Sequence, residues 1–537
     1  MNYWPLLGVA VIVIGFALRF NAVPVVVVAA LVSGLLAGLS VADLLALLGN
    51  SFVSQRMLLL FVLTLPAIGL LERAGLREHA QRWMARLQNL TLARLLIGYL
   101  LLRQLLATMG LTGVAGAAQT VRPLLAPMGE AAAQKILPEL DQDDREELRA
   151  VAAATDNIGR FFGEDPAWHR AEPAGDRLVG PAHGSGRVRH PVGTHLAVSA
   201  PAATTRRPPR AGRLSMLRIE HAYWLIAAFL LYSGWRNLRD GHRWHAAFWI
   251  VLGLLFGAGD FILAQSAAGN ALPAQIAGIG VIALACLAPR LRRQAHPENR
   301  SAEQRLQSAI ELGHRLFGPA LLIPLVTLLV ALFGGYLVIG QFALFAQSQM
   351  TLTGLALACV IALLAAARVA RTPVHEGVAE GRRLLDAIGW AALLPLLLAA
   401  LGQVFTRSGV GAAIAEIATD FLPTGNATAA LAVFALGMVL FTVIMGNAFA
   451  AFPVMMAGIG LPLLIQQHGA HPAILGAMGM LCGYCGTLLT PMAADFNLVP
   501  AALLELRNPY GVIKAQAWSA LWIFASTFTM MWLLVFR

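Results

Sequence analysis

The chain has 537 residues, of which 58% are apolar and only 12% charged, with a mean hydropathy of +0.69. Soluble globular chains carry about 25% charged residues, so the composition excludes a soluble enzyme and describes a polytopic membrane protein. The formal charge of +11 does not point to nucleic acid. Lys135 and Lys514 are the only lysines, and the arginines cluster between apolar runs, as in cytoplasmic loops.

Four cysteines (Cys286, Cys359, Cys482, Cys485) lie in apolar sequence and suggest no disulfide framework. The opening Met1-Asn2-Tyr3-Trp4-Pro5 lacks the basic region of a signal peptide, so the first apolar run is expected to stay as a membrane helix. A span needs about 20 apolar residues to cross about 30 Å of hydrocarbon. Spans are predicted near 4–18, 22–40, 57–72 and 94–109. After the middle of the chain they follow near 222–235, 245–264, 272–289, 316–335, 351–369, 384–404, 427–445, 472–489 and 512–535. The expected fold is all-α, with roughly 11–14 transmembrane helices.

Residues 165–213 break the pattern with seven prolines, eight arginines and four histidines. Such a stretch reads as a flexible linker or as a shifted reading frame, since GC-rich DNA read out of frame yields this composition; the frame shift is the preferred reading. The expected division is a first membrane domain over 1–164, truncated at its end, a linker or frame-shifted segment over 165–215, and a second membrane domain over 216–537.

An internal repeat follows from three matches in the same order. Ala67-Ile68-Gly69-Leu70-Leu71-Glu72-Arg73-Ala74-Gly75 is echoed by Ala400 to Gly409. Gly110 stands 35 residues after Gly75, and Gly446 stands 37 after Gly409. Asp156 then follows Gly110 by 46 residues, and Asp495 follows Gly446 by 49. Arginine bias places 236–243, 290–305, 371–383 and 72–94 inside and 408–426 outside, so the two copies are expected to be inverted. Inverted repeats are the mark of secondary transporters, with substrate held between the copies at discontinuous helices.

Two stretches suit such a site. Met445-Gly446-Asn447, continuing through Pro453, Gly458, Gly460 and Pro462, offers a turn and an amide, with helix breaks expected at the prolines. Its first-half partner runs from Gly110 and Thr112 to Gly116, with Gln119 and Thr120. The second stretch spans Thr487, Thr490-Pro491, Asp495 and Asn497, with Asp156 and Asn157 as the mirror pair. Carboxylates within a membrane are costly and are functional candidates by default, although Asp495 as a helix cap is the plainer alternative. The coupling ion would be Na⁺ or H⁺, with no other metal and no cofactor.

Weaker features have structural readings. Cys482-Gly483-Tyr484-Cys485 lacks a second pair and reads as structural. His468 and His471 read as a solvated turn, Glu72-Arg73 as a helix-end ion pair, and Arg382, Arg383 and Asp386 as a cytoplasmic helix entry. No G-x-S-x-G, H-E-x-x-H or Walker A motif occurs, so no enzyme is expected.

Particular stretches also carry a resemblance. Residues 1–164, through Met1 to Gly8, Arg103-Gln104, Val121-Arg122-Pro123-Leu124 and Ala154-Thr155-Asp156-Asn157, resemble one small membrane family. Residues 216–537, through Gly381 to Trp390, Met445 to Pro453, Cys482 to Thr487 and Pro500 to Leu506, resemble its usual partner. The two resembled families, formerly of unknown function, are the subunits assigned to a 5-oxoproline (pyroglutamate) transporter encoded beside 5-oxoprolinase. More distantly, the halves are similar to the ion-transporter superfamily of organic-anion carriers.

The resemblance implies a permease of a bacterial inner membrane that imports a small organic anion, 5-oxoproline first among them, by alternating access. In that reading Gly110 and Gly446 lie at half-helix ends that meet the substrate carboxylate. Asn447, Thr112, Thr487 and Thr490 contact the lactam. Asp156, Asn157, Asp495 and Asn497 serve the coupling ion. Expected partners are the substrate, the bilayer, and an intact first-subunit chain or a second copy. The alternatives are a carrier of another carboxylate or amino acid, or a non-transporting membrane scaffold. The family pattern differs in three respects: its subunits are separate chains, the first continues as apolar helix after Phe161 to Asp165, and the second more often carries Asn where Asp495 stands.

Overall fold

The computed structural model describes residues 2–18, 20–87, 90–108, 116–137, 139–160, 214–291, 300–339, 342–346, 349–411, 413, 416 and 426–537. The linker region 165–213 and the candidate site residues Gly110 and Thr112 lie outside them.

The described chain is almost wholly helical. The first half holds α1 (Leu7–Ala17), α2 (Ala22–Leu36), α3 (Val41–Ser54), α4 (Leu65–Arg73), α5 (Leu76–Arg86), α6 (Leu92–Thr108), α7 (Ala126–Gln134) and α8 (Gln142–Arg160). The second opens with strand β1 (Leu214–Leu217), then α9 (Ile219–Arg239), α10 (Arg243–Gly257), α11 (Gly259–Ala267), α12 (Leu272–Leu287), α13 (Ala302–Leu312) and α14 (Phe317–Phe333). Strands β2 (Val338–Ile339) and β3 (Phe342–Phe345) follow. Next come α15 (Met350–Val369), α16 (Val374–Ile388), α17 (Leu394–Arg407) and α18 (Ala427–Met445). The chain closes with α19 (Ala448–Met455), α20 (Pro472–Leu489), α21 (Leu498–Leu503) and α22 (Gly511–Leu534). The strands form one small sheet in the order β1-β3-β2, with β1 parallel to β3 and β2 antiparallel to it.

Local sequence sets several helix starts. Asn426 Oδ1 accepts the Thr428 and Ala429 N–H groups, and Ser301 forms a reciprocal capping box with Gln304. Pro66, Pro395 and Pro472 stand in first turns, where no N–H is needed.

Among the described residues, eight helices are long and apolar enough to cross a membrane, and a ninth span results if α10 and α11, bent by 48°, count as one. Three shorter apolar helices lie at Trp4–Phe16, Ala22–Leu36 and Ala451–Gln467. This is an all-α multi-pass membrane protein. The predicted spans at 57–72 and 384–404 are parts of longer helices, Val41–Arg73 and Val374–Arg407, of 33 and 34 residues. Each passes through a 3₁₀ segment, at Arg56–Thr64 and Gly389–Leu393, and each is followed by a left-handed glycine, Gly75 and Gly409.

Both halves place a π-helical segment after their long helix. After the first long helix come α5, α6, a π-helical segment with an internal proline (Ala117–Leu125), α7 and α8, and after the second come α18, α19, a π-helical segment with an internal proline (Met456–Gln467) and α20. The long helices pack on each other through α4 and α16, where Gly69 lies against Glu380 and Gly381 against Pro66. A second glycine crossing joins α3 to α12, with Gly49 against the Ala274 carbonyl and Gly278 against that of Leu45. Small residues allow this close approach inside a membrane, where there is no hydrophobic drive between helices. One continuous core, from Val26 and Phe52 through Trp249 to Leu397 and Phe434, runs through both halves.

Candidate functional site

The site is built on two helix breaks. Helix α18 ends at Met445, and Gly446 turns the chain at φ +73°, a conformation that L side chains rarely adopt. Asn447 is extended, and its Oδ1 accepts the Phe449 N–H at 2.8 Å, capping α19. The expected breaks at Pro453 and Pro462 do not occur: Pro453 lies inside α19, and Pro462 inside the π-helical segment Met456–Gln467. A local change of hydrogen-bond register lets a helix carry a proline without ending.

The second break follows α20. Thr490 is extended, its hydroxyl donates to the Val443 carbonyl at 2.7 Å and accepts the Met492 N–H at 3.1 Å. A Cβ on Gly446 would collide with the Met492 carbonyl. The two breaks are therefore tied tip to tip.

Amides brace them from behind. Asn497 Nδ2 donates to the carbonyls of Thr487 at 2.9 Å and Thr490 at 2.7 Å. Gln516 Nε2, from α22, donates to Asn497 Oδ1 at 2.6 Å and to the Leu488 carbonyl at 2.7 Å. Gln516 Oε1 accepts from Asn157 Nδ2 at 3.0 Å, and that nitrogen also reaches the Phe496 carbonyl at 2.7 Å. The Thr487 hydroxyl is spent on the Tyr484 carbonyl at 2.6 Å. Asn157 and Asn497, expected as ion ligands, thus direct their amides to protein partners. Two polar side chains of the tips reach the surface: Asn447, whose Oδ1 is taken by its cap, and Asp495 are exposed, although Ala493, Ala494, Phe496 and Asn497 around Asp495 are buried. Asp495 makes no ion pair among the described residues.

Asp156 belongs to a different environment. Its Oδ1 accepts from Arg103 Nε at 2.6 Å and from the Tyr99 hydroxyl at 2.8 Å, and Arg160 lies 3.7 Å from Oδ2. Both Arg103 and Asp156 are about 1% exposed. Arg160 continues to Asn157 Oδ1 at 2.9 Å and lies over the Phe496 ring. The described candidates Gly446, Asn447, Thr487, Thr490, Asp495, Asn497, Asp156 and Asn157 are thereby joined in one connected unit. Sequence reasoning assigned no role to Tyr99, Arg103, Arg160 or Gln516. Arg103, set among leucines well inside α6, was the available signal, because such a charge needs a partner.

Other expectations are corrected. Glu72 does not pair with Arg73. It binds Arg122, with Nε at 2.7 Å and Nη2 at 3.1 Å, while Arg73 reaches Glu376 at 2.8 Å. Adjacent helical residues diverge around the axis and do not face each other. Arg122 also donates to the Leu503 carbonyl and, at 3.0 Å, to Glu505. Burial works against the charge of Glu505, and the Arg122 guanidinium more than offsets it, holding this carboxyl below its usual range. Asp386 is no surface helix entry: it is 1% exposed and accepts from Trp249 Nε1 at 2.7 Å and Asn237 Nδ2 at 3.1 Å. Cys482 and Cys485 are buried and free. No group of three His, Cys, Asp or Glu suited to a metal occurs among the described residues.

Comparison with known proteins gives two family matches. Residues 220–536 match the family described as protein of unknown function DUF979, and residues 3–168 match protein of unknown function DUF969. No curated protein matches the chain. Among solved structures, Neisseria gonorrhoeae MtrF, presented as illuminating a class of antimetabolite efflux pumps, is 14% identical over 89% of this chain and 81% of that one, with a TM-score of 0.30. A likeness so loose carries no weight for fold or function. The DUF979 match spans more than half of the chain, and the protein belongs to that family.

Proposed function

We propose that this member of the DUF979 family, with a DUF969 segment ahead of it in the same chain, is a secondary transporter of a small organic anion. The observation that carries the reading is the meeting of two helix breaks at Gly446 and Met492, with Asn447 and Asp495 exposed on their tips. Broken helices within a membrane bundle expose backbone donors and acceptors only where they line a site or are covered by protein.

The start of α19 presents its positive end, and the first-turn N–H groups that Asn447 leaves free suit a carboxylate. Asn447 adds an amide for a lactam. Asp495 would take the coupling Na⁺ or H⁺. Asp156, Asn157, Asn497 and Gln516, already bonded to protein, would hold the breaks in register while the two repeats alternate around them. The substrate to test first is 5-oxoproline, moved inward across a bacterial inner membrane.

The test is uptake of labelled 5-oxoproline by cells lacking their own importer. This chain is compared with a version whose first half is restored as a separate intact subunit, and each with its Asn447→Ala and Asp495→Asn variants. Uptake that falls in both variants supports the substrate and the site. Absence of uptake from either version despite verified insertion rejects the substrate, and uptake unchanged by both substitutions rejects the site.

A further inference from the structure

A second constellation lies away from the helix breaks. A cleft is lined by Glu72, Arg73, Arg77, Glu78, Arg300, Arg305, Glu380 and Arg383. All eight are charged, five positive and three negative. The first four come from α4 and α5, within the DUF969 match, and the others from the start of α13 and from α16, within the DUF979 match. The cleft exists only where the two segments meet.

Its carboxylates are committed. Glu72 is held by Arg122 at 2.7 Å, Glu78 by Arg305 at 2.7 Å, and Glu380 by Arg383 at 2.8 Å with Arg73 at 3.7 Å. Arg77 and Arg300, both half-buried, take no part in these pairs, and neither side chain has a hydrogen-bond or ion-pair partner among the described residues. The lining therefore carries two more positive than negative charges. Adding the neighbours Arg122, Glu376 and Glu505, which pair into the same network, leaves an excess of one. A singly charged tetrahedral oxyanion meets that excess, and planar guanidinium groups match its oxygens pairwise.

We propose that this cleft binds a phosphate-type oxyanion between Arg77 and Arg300, bridging the two family segments. The ligand is either free phosphate or the headgroup of an anionic phospholipid. The proposal does not depend on which substrate the helix breaks accept.

The test uses the purified full chain. Its melting temperature is measured in inorganic phosphate against chloride at equal ionic strength, and in nanodiscs of phosphatidylglycerol against phosphatidylcholine. In parallel, phenylglyoxal labelling of the unsubstituted protein is read by peptide mass. Stabilisation and protection of Arg77 and Arg300 by inorganic phosphate identify free phosphate, whereas the same effects from phosphatidylglycerol alone identify a headgroup. Either effect is expected to raise the melting temperature by at least about 2 °C at saturation, to vanish in Arg77→Gln/Arg300→Gln, and to persist in Arg86→Gln, on the same helix but outside the cleft. The labelling arm needs no variant, so a double variant that fails to fold leaves the test intact. Equal labelling of both arginines with and without phosphate or phosphatidylglycerol, or a stabilisation that survives the double substitution, overturns the proposal.

Discussion

Gly446 and Met492 touch through their backbones, one at the end of α18 and the other just past the end of α20. Neither the turn at φ +73° nor the space allows a side chain at Gly446. Gly446→Ala should cost at least about 1–3 kcal/mol in strain alone and abolish transport. Gly98→Ala, in an exposed and open part of α6, should instead be neutral or stabilise by up to about 1 kcal/mol. Thermal melting and uptake of the two variants check this; a harmless Gly446→Ala would show that the tips need not touch.

The Arg103–Asp156 pair is almost wholly buried. Removing one partner of such a pair leaves the other uncompensated and costs about 3–5 kcal/mol, whereas replacing both by apolar residues is far milder. Arg103→Leu and Asp156→Leu should each melt well below the parent, and the double variant should recover much of the loss. Independent, additive effects in this cycle would mean that the contact is not an energetic unit.

Asp495 makes no ion pair among the described residues and is open, so Asp495→Asn should leave stability within about 0.5 kcal/mol of the parent. If it carries the coupling ion, concentrative uptake should fall while exchange of labelled for unlabelled substrate persists. Comparing net uptake with exchange in proteoliposomes makes the distinction.

His79 packs its Nε2 3.3 Å from His314 Nδ1. Burial first, and then His314, Arg82 and Arg86, hold its pKa below the usual 6.5. A histidine depressed in the folded state binds its proton more readily when unfolded, so the stability it contributes is present above pH 6.5 and is lost as the pH falls below that value. Melting temperature should drop between pH 7.5 and 5.5 in the parent and drop less in His79→Gln. An identical pH dependence in both would remove His79 as its source.

Glu505 sits at φ +58° while bonded to Arg122. Both Glu505→Ala and Glu505→Gly lose that bond, but only glycine relieves the backbone, so the glycine variant should be the more stable by about 1–2 kcal/mol. Chemical denaturation of the two variants reads the difference, and equal stabilities would show that the turn relaxes without cost.

The sequence revealed the helical class and the breaks at Gly446 and Thr490, because these depend on local facts: apolar run length, a glycine, a threonine before a proline. It did not reveal that Pro453 and Pro462 would be absorbed, since that turns on a change of helix register stabilised by neighbours. Nor could it pair Arg122 with Glu72 across 50 residues, or Asn157 with Gln516 across 359. The adjacency of Glu72 and Arg73 suggested a pair that helix geometry disfavours. Arg103 lies in the apolar part of α6 and Asp156 in the apolar end of α8, but nothing local shows that they meet.

The seam between α4 and α16 is lined by glycines on both sides and by the ring of Pro66. The Pro66 ring fills the space left at Gly381, and Glu380 closes over Gly69, so the two helices meet almost backbone to backbone. A fit this close fixes the register of the two helices, since a shift along the seam would drive the Pro66 ring out of the gap at Gly381 and against a larger neighbour. A bulky side chain at Gly69 or Gly381 has no room there and would wedge the two family segments apart.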